Sequence, residues 1–598
     1  MIRRFLLLLP LLALAASGQT PSLSRIHPLG ARAGSLVEVE ILGQSFPPGS
    51  TVEFDTPLLT WQQTTLHEPG RLKGLVSLHP NAPLGAHLLH VRSPLGPSNS
   101  LLFHAGQFPS ILEGDHRALP SLPVELYGRL DGPTDIDTYW FSVHAGQRWL
   151  FDLRAMDHGS AVEARMALLH ANGQKIAYND DRDHYDENPR LEYTFPQSGV
   201  YGLRLDQYRG PRGFTFGKNN AYLLRISNLP NPLSLSPLGA RRGALSRFSL
   251  HGSALAAVSQ AYLTPLRLAE YSRMTYPYTM PIRFAADPPS PTRLPAQILA
   301  ASPTRLDFAV AIPAHASPGL WKLWLVSPAG HTDALPLEIS DLPERTDAQP
   351  LPPAPPPYVV NGLLATPGQR QRFLIPARAG QPLRFSTLAA QLGTPFLDTV
   401  LTLRDPQGRK LAENDDVVAG WGGLLGNPDS TLFYTPTTSG TLTLELRDRL
   451  LRGGPLYPYR LKVESAAPSF QLFTTPENLT VRRGQTTTLK LHLVREAGFS
   501  GEVSVRVEGA GPPLSGRFRA DQLFEPNADG ADMLIPEIEF TLPAPGPPGV
   551  YPLTITGPAP AHPAPVTAHT AVMIGPIYQG DWNFYRRPLP AITLTVVD

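Results

Sequence analysis

The sequence predicts an all-β fold, a tandem of β-sandwich modules, and three observations carry that expectation. Proline supplies 67 of the 598 residues, about one in nine where about one in twenty is ordinary. Each proline would remove a hydrogen bond from a helix interior and clash with the preceding turn, at ~3 kcal/mol, so long helices are excluded. Apolar and polar residues alternate in short runs, as in Leu36–Leu42 (L-V-E-V-E-I-L), Trp140–Leu153 around Gly146, and Leu442–Leu446 (L-T-L-E-L). That is the period-two signature of half-buried strands bounded by turn residues. Finally, landmarks recur in unbroken order along the chain, which marks a duplicated unit.

The duplication sets the modules. PLGARAG at 28–34 returns as PLGARRG at 237–243, and Gly43 returns as Gly252. Gly85, Ser93-Pro94 and Gly96 return as Gly319, Ser327-Pro328 and Gly330, so the second copy carries an insertion within 254–305 that includes Tyr271, Tyr276 and Tyr278. Farther on, Ala145–Gln147 matches Ala379–Gln381, Asn179–Asp181 matches Asn414–Asp416, Asn188-Pro189 matches Asn427-Pro428, and Ser198-Gly199 matches Ser439-Gly440. Sandwiches are expected over 19–107, 108–229, 230–342, 358–466 and 467–598. Between the third and fourth lies a Pro-rich linker, 343–357, whose run Pro350–Pro357 reads as a stiff polyproline spacer between two semi-independent units.

The N-terminus has an export layout: Arg3 and Arg4, an apolar run from Phe5 to Ala16, then Ala16 and Gly18 at −3 and −1 before Gln19. Residues 1–18 are expected to be a signal peptide, too short in apolar length to remain as a spanning anchor. Net charge is +1 with only 17% charged residues, and no dense Lys/Arg run offers the basic stripe that nucleic acid requires. The chain has no cysteine. This removes disulfides, thiolate zinc sites and cysteine nucleophiles, and favours a bacterial exported protein, periplasmic or extracellular.

These landmarks resemble known bacterial modules. Residues 21–106 and 232–341 are similar to IPT/TIG domains, through Pro28, Gly34, the V-E-V-E-I strand, Gly43 and Phe46, and in the second copy through Pro237, Gly243 and Gly252, where Leu255 replaces the aromatic. Residues 110–229 and 358–465 resemble the pre-peptidase C-terminal domain, through Asp135, Asp137, Tyr139, Phe141, Ala145–Gln147, Asn179–Asp181, Ser198, Gly199 and Tyr201. The second copy keeps Phe373, Ala379–Gln381, Asn414–Asp416 and Ser439-Gly440, with Gln369 read as the counterpart of Asp137. Residues 467–598 resemble an Ig-like repeat of bacterial surface proteins, through Leu479–Val481, Arg483–Gln485 and Gly498–Gly501 before V-S-V-R-V. The resemblance implies immunoglobulin-like and jelly-roll-like sandwiches and a non-catalytic, accessory or adhesive role.

Two groups of residues are candidate sites. Asp135, Asp137, Asn179, Asp180 and Asp181 offer the loop carboxylates and amide oxygen that calcium takes; the same residues also suit Asx turns. The second copy keeps Asn414–Asp416 without the aspartates of the other loop, which favours the turn reading. Tyr578, Trp582, Phe584 and Tyr585, beside Arg586 and Arg587, suit either a recognition surface or a strand packed into the last sandwich. His87 and His90, three apart on a strand, face opposite sides and make a poor ligand pair. None of the H-E-x-x-H, G-x-S-x-G, phosphate-loop or dinucleotide fingerprints is present. The expected function is therefore non-enzymatic: an exported binding, adhesion or scaffold protein whose partner is a protein or polysaccharide of the envelope or matrix. The alternative is an accessory to a secreted protease or polysaccharide hydrolase encoded elsewhere.

Overall fold

A computed structural model describes residues 21–558 apart from 115–117, 133, 156–157, 159, 161, 183–187, 208–219, 266–271, 276–277, 282–292, 347–350, 395–396, 416, 419–425, 428, 467, 476–478, 497–498, 521–524, 527–532 and 535; beyond 558 it describes 566–567, 569–570, 572–573, 584–585 and 592–597. The leader lies outside the described residues. Among those described, regular structure is strand, with two single-turn 3-10 helices at Leu255–Ala257 and Ala390–Leu392 and no α-helix. The all-β sandwich architecture is as the proline spacing requires.

Each module has its own core, closed by sheets whose inward residues alternate. In the first, the sheet of Ser22–His27, Leu36–Gln44, Arg71–Leu78 and Leu59–Glu68 packs against that of Gly30–Arg32, Gly96–Gly106, Gly85–Ser93 and Thr51–Phe54 around Ile26, Val39, Ile41, Leu89 and Phe103. In the second, a five-stranded and a four-stranded sheet enclose Phe141, Phe151, Met166, Leu203 and Leu224. The fourth repeats the five- and four-stranded sheets of the second. The third keeps the strand order of the first but joins it into one nine-stranded sheet, because Leu294–Ala301 pairs with both Gln260–Pro265 and Arg305–Ala311. The fifth closes on Leu491, Val505, Phe518, Ile555 and Leu594.

The repeat is legible at the level of single hydrogen bonds. The Ala145 N–H donates to Ser198 Oγ at 2.9 Å and the Ala379 N–H to Ser439 Oγ at 3.0 Å. Gly146 and Gly380 turn at φ +82° and +74°, backbone that glycine adopts without strain. Asn179 Oδ1 accepts from the Arg190 N–H at 2.7 Å, and Asn414 Oδ1 from the Thr431 N–H at 2.8 Å. Register corrects the sequence alignment at two places. Asn188 Oδ1 accepts from Ala155 N–H, and the matching acceptor for Ala389 N–H is Asp429, not Asn427. Asp137 pairs with Leu205 as Gln371 pairs with Leu446, so Gln371, not Gln369, stands in its place.

The Pro-rich stretch also departs from expectation. Glu344–Thr346 pairs in parallel with Tyr358–Leu363, as Ser110–Leu112 pairs with Val124–Arg129 in the first unit. The chain between them leaves and re-enters one sheet, and Leu351 and Ala354 pack against the fourth core. It is a crossover held on the module rather than an extended spacer.

Modules share cores across their seams. Tyr127, Ala221 and Leu223 of the second module pack within the first core, and Leu238 of the third within the fourth. Leu223 lies opposite Tyr127, and its counterpart in the second unit, opposite Asn361, is Arg460. Arg460 is fully buried. Its guanidinium donates to Glu338 Oε2 at 2.7 Å, Asn361 Oδ1 at 2.7 Å, Ser340 Oγ at 2.9 Å and Glu344 Oε1 at 2.7 Å, and Lys462 also pairs with Glu338. At this position the seam is apolar in one unit and ionic in the other. Truncating one member of a buried pair leaves an uncompensated charge at a cost of about 3–5 kcal/mol. Arg460→Ala should therefore lower the denaturant midpoint of the transition that includes the third and fourth modules; an unchanged midpoint would count against the seam.

Candidate functional site

The most charged buried region of the described residues lies where the first three modules meet. Strand pairing sets Arg190 opposite Asp152, Asp152 opposite Arg225, and Arg225 opposite Glu125, so charges of alternating sign run across four neighbouring strands on one face. Cross-strand opposite charges attract, but this row is buried and needs further partners. They come from its own sheet and from the third module. Asp152 accepts from Arg154 at 2.8 Å, Arg182 at 2.5 Å and Arg190 at 3.1 Å. Asp333 of the third module accepts from Arg225 at 2.9 Å, Arg154 at 2.7 Å and Arg190 at 3.2 Å. Arg225 Nε also donates to Glu125 at 3.1 Å. Burial pushes both aspartates up, but the surrounding guanidinium groups outweigh it and hold each below the usual carboxylate range, while burial raises Glu125. In the second unit the same row reads Thr431, Ser386, Lys462 and Val359: the charges are found where another module's carboxylate lands on the sheet.

The residues offered as candidate calcium ligands do not converge. Asp137, Leu205, Met166 and Asn179 occupy one row across four strands, so Asp137 and Asn179 stand about 14 Å apart along the sheet, far more than one cation's ligands allow. Asn179 Nδ2 donates to the Asp181 carbonyl at 2.7 Å, and Asp180 accepts from Tyr178 OH at 3.0 Å; these are turn bonds. Asp135 accepts from the Asp131 N–H at 2.7 Å, and Asp137 from Tyr222 OH at 2.6 Å, which itself meets Tyr139 OH at 2.6 Å. Glu113, which was not among the sequence candidates, joins this second group by a hydrogen bond to Asp137. Tyr578 and Trp582 lie outside the described residues. Phe584–Tyr585 forms a short strand with Val572–Met573.

A surface of a different character stands on the third module. Tyr262 and Trp324 are cross-strand neighbours with centroids 6.5 Å apart and planes 18° apart. His331 meets the Tyr262 ring edge to face at 6.5 Å, and the exposed Arg293 lies over that ring at 4.8 Å. The three rings are half-buried. Trp324 Nε1 donates to Thr264 at 3.0 Å, and Gln107 of the first unit holds the His331 backbone through both its amide donor (2.7 Å) and its carbonyl (2.9 Å). Gln107 comes so near that a Cβ at Gly330 would lie 2.4 Å from its Oε1. At the duplicated positions the first module carries Glu53 opposite His90, beside Arg92, an ordinary charged surface. A second concavity, about 440 Å³, opens beside Phe54, Leu59 and Trp61 in the first module. The counterpart strands of the third module pair through Tyr262–Pro295 and Leu263–Leu294.

No family model matches the chain, and no curated protein matches it. Among solved structures, the pre-peptidase C-terminal domain of a Bacillus anthracis collagenase overlaps at 16% identity and TM-score 0.15, covering 20% of this chain and 99% of that one. A Bacteroides ovatus protein of a mixed-linkage glucan utilization locus, in complex with a mixed-linkage heptasaccharide, overlaps at 13% identity and TM-score 0.20, covering 76% and 98%. The I9–I11 tandem of titin overlaps at 9% identity and TM-score 0.11, covering 62% and 99%. The fold described above rests on the strand pairing itself.

The Glu113–Asp137 pair has a pH signature. Burial and the neighbouring Asp137 charge push Glu113 up from 4.5 to about 8, and burial raises Asp137 too. An acid raised on folding stabilises while protonated: the contribution is complete below the unfolded value and is lost as pH climbs through the folded one. Stability carried by this pair should fall between about pH 5 and pH 8. Glu113→Gln keeps a donor but cannot ionise, so urea denaturation at pH 5, 7 and 9 should show a shallower decline than in the parent chain; identical declines would show that Glu113 does not carry the pH dependence.

Proposed function

We propose that the chain is an exported, non-catalytic binding or scaffold protein of the bacterial envelope or extracellular space, with a polymer, polysaccharide or protein, as its partner. The observation that carries this reading is the half-exposed Tyr262–Trp324 pair on a sheet fixed to the first unit by Gln107 and Asp333. Rigid aromatic side chains supply contact area at little entropic cost, and they dominate recognition surfaces. The deepest charged cluster supports the same reading. Its aspartates are held ionised by arginines that join the second module to the third, which fixes the sheet that carries the aromatic pair. No helix among the described residues is long and apolar enough to cross a membrane. The chain from Gln19 onward, immobilised and challenged with purified envelope and matrix polysaccharides and purified envelope proteins, should retain one of them intact, and Trp324→Ala should weaken retention. Shortening of the retained polymer, or retention of none, would overturn the reading.

A further inference from the structure

We infer that the Tyr262–Trp324 face is a site for an acidic polysaccharide, with a pyranose ring laid on Trp324 and its carboxylate drawn to Arg293, which Tyr262 holds beside it. This inference rests on the binding role proposed above and names its ligand class. The rings are near-parallel, half-exposed and locked from behind, Trp324 by Thr264 and the His331 edge by Gln107. Aromatic faces carry negative quadrupole charge, and the C–H groups on one face of a pyranose carry the complementary partial positive charge. Arg293 adds direction. It is exposed, its guanidinium carbon lies over the Tyr262 ring 4.8 Å from the centroid, and among the described residues no carboxylate pairs with it. A guanidinium held over a ring keeps N–H donors free of that contact, and its planar fork can bind a carboxylate in bidentate fashion. The other charges nearby do not compete: Asp333 is committed to three arginines behind the face. The duplicate supplies an internal control. At the equivalent positions the first module has Glu53 and His90, with Glu53 already paired to Arg92 and carrying the wrong sign for an anionic glycan.

The test is affinity electrophoresis of the chain from Gln19 through gels containing polygalacturonate, alginate or a neutral glucan. The parent chain should be retarded by an acidic polymer and less by the glucan, with retardation falling as salt is raised. Trp324→Ala and Tyr262→Ala should each weaken retention about tenfold or more. Arg293→Ala, a change at an exposed position, should abolish the preference for acidic over neutral polymer, and Arg293→Lys should restore part of it. Equal retention on neutral glucan with Arg293→Ala unchanged would overturn the acidic class while leaving polymer binding intact. Retention on acidic polymer that survives all three substitutions would place binding elsewhere on the chain and overturn the site. If no polysaccharide retards the parent chain while a purified envelope protein does, the ligand class fails but the binding role stands; if nothing binds, both fail.

Discussion

Asp333 is the group on which the arrangement of the first three modules depends. It leaves its own sandwich and ends among Arg154, Arg190 and Arg225 of the second, where a bare row of buried arginines beside one aspartate would repel itself. Burying such charges in isolation costs several kcal/mol each, and only dense pairing offsets it. The pairing is dense because the strands Arg148–Arg154, Arg190–Thr194 and Ala221–Ser227 are adjacent and in register. The inner face of that sheet already packs the second core through Phe151, Leu153, Leu224 and Ile226. The outer face is therefore buried by neighbours: the first module covers Leu223 and Tyr127, and the third covers Arg225.

The two units show what this constraint did to a duplicated pair of domains. Turn glycines, the serine and asparagine clamps and the sheet order persist because they close each sandwich from within. The seam residues diverged. Arg460 stands where the first unit has Leu223, Thr431, Ser386, Lys462 and Val359 stand where it has Arg190, Asp152, Arg225 and Glu125, and Tyr262–Trp324 stands where it has Glu53–His90. Each change follows what the position faces: another module's carboxylate, a neighbouring side chain or solvent. The aromatic face stands beside the seam, and Gln107 ties its edge to the first unit, so its geometry depends on how firmly the modules are held.

Much of the architecture was legible in the sequence because proline density, period two and turn glycines are local signals. The residues of the seams were not. Trp149–Arg154 reads W-L-F-D-L-R, and Asp152 and Arg154 in an otherwise apolar strand hint at a second buried face, yet nothing nearby points to Asp333, about 180 residues on. The acidic residues kept two readings open for the same reason: Asp137 and Asn179 look convergent as motifs, only the strand order separates them, and the turn bonds of Asn179 and Asp180 agree with the favoured turn reading. Glu113 was invisible because a parallel pairing, Ser110–Leu112 with Val124–Arg129, carries it to Asp137. The Pro-rich run misled because composition fixes stiffness but not where the chain returns.

The most direct test of this account is calorimetric unfolding of the chain from Gln19 with and without Asp333→Ala. If the ion cluster locks the modules, the parent chain unfolds its second and third modules in one transition, and the substitution splits that transition in two while lowering both. Two transitions in the parent chain, unmoved by Asp333→Ala, would show that the modules stand independently and that the cluster does not hold them.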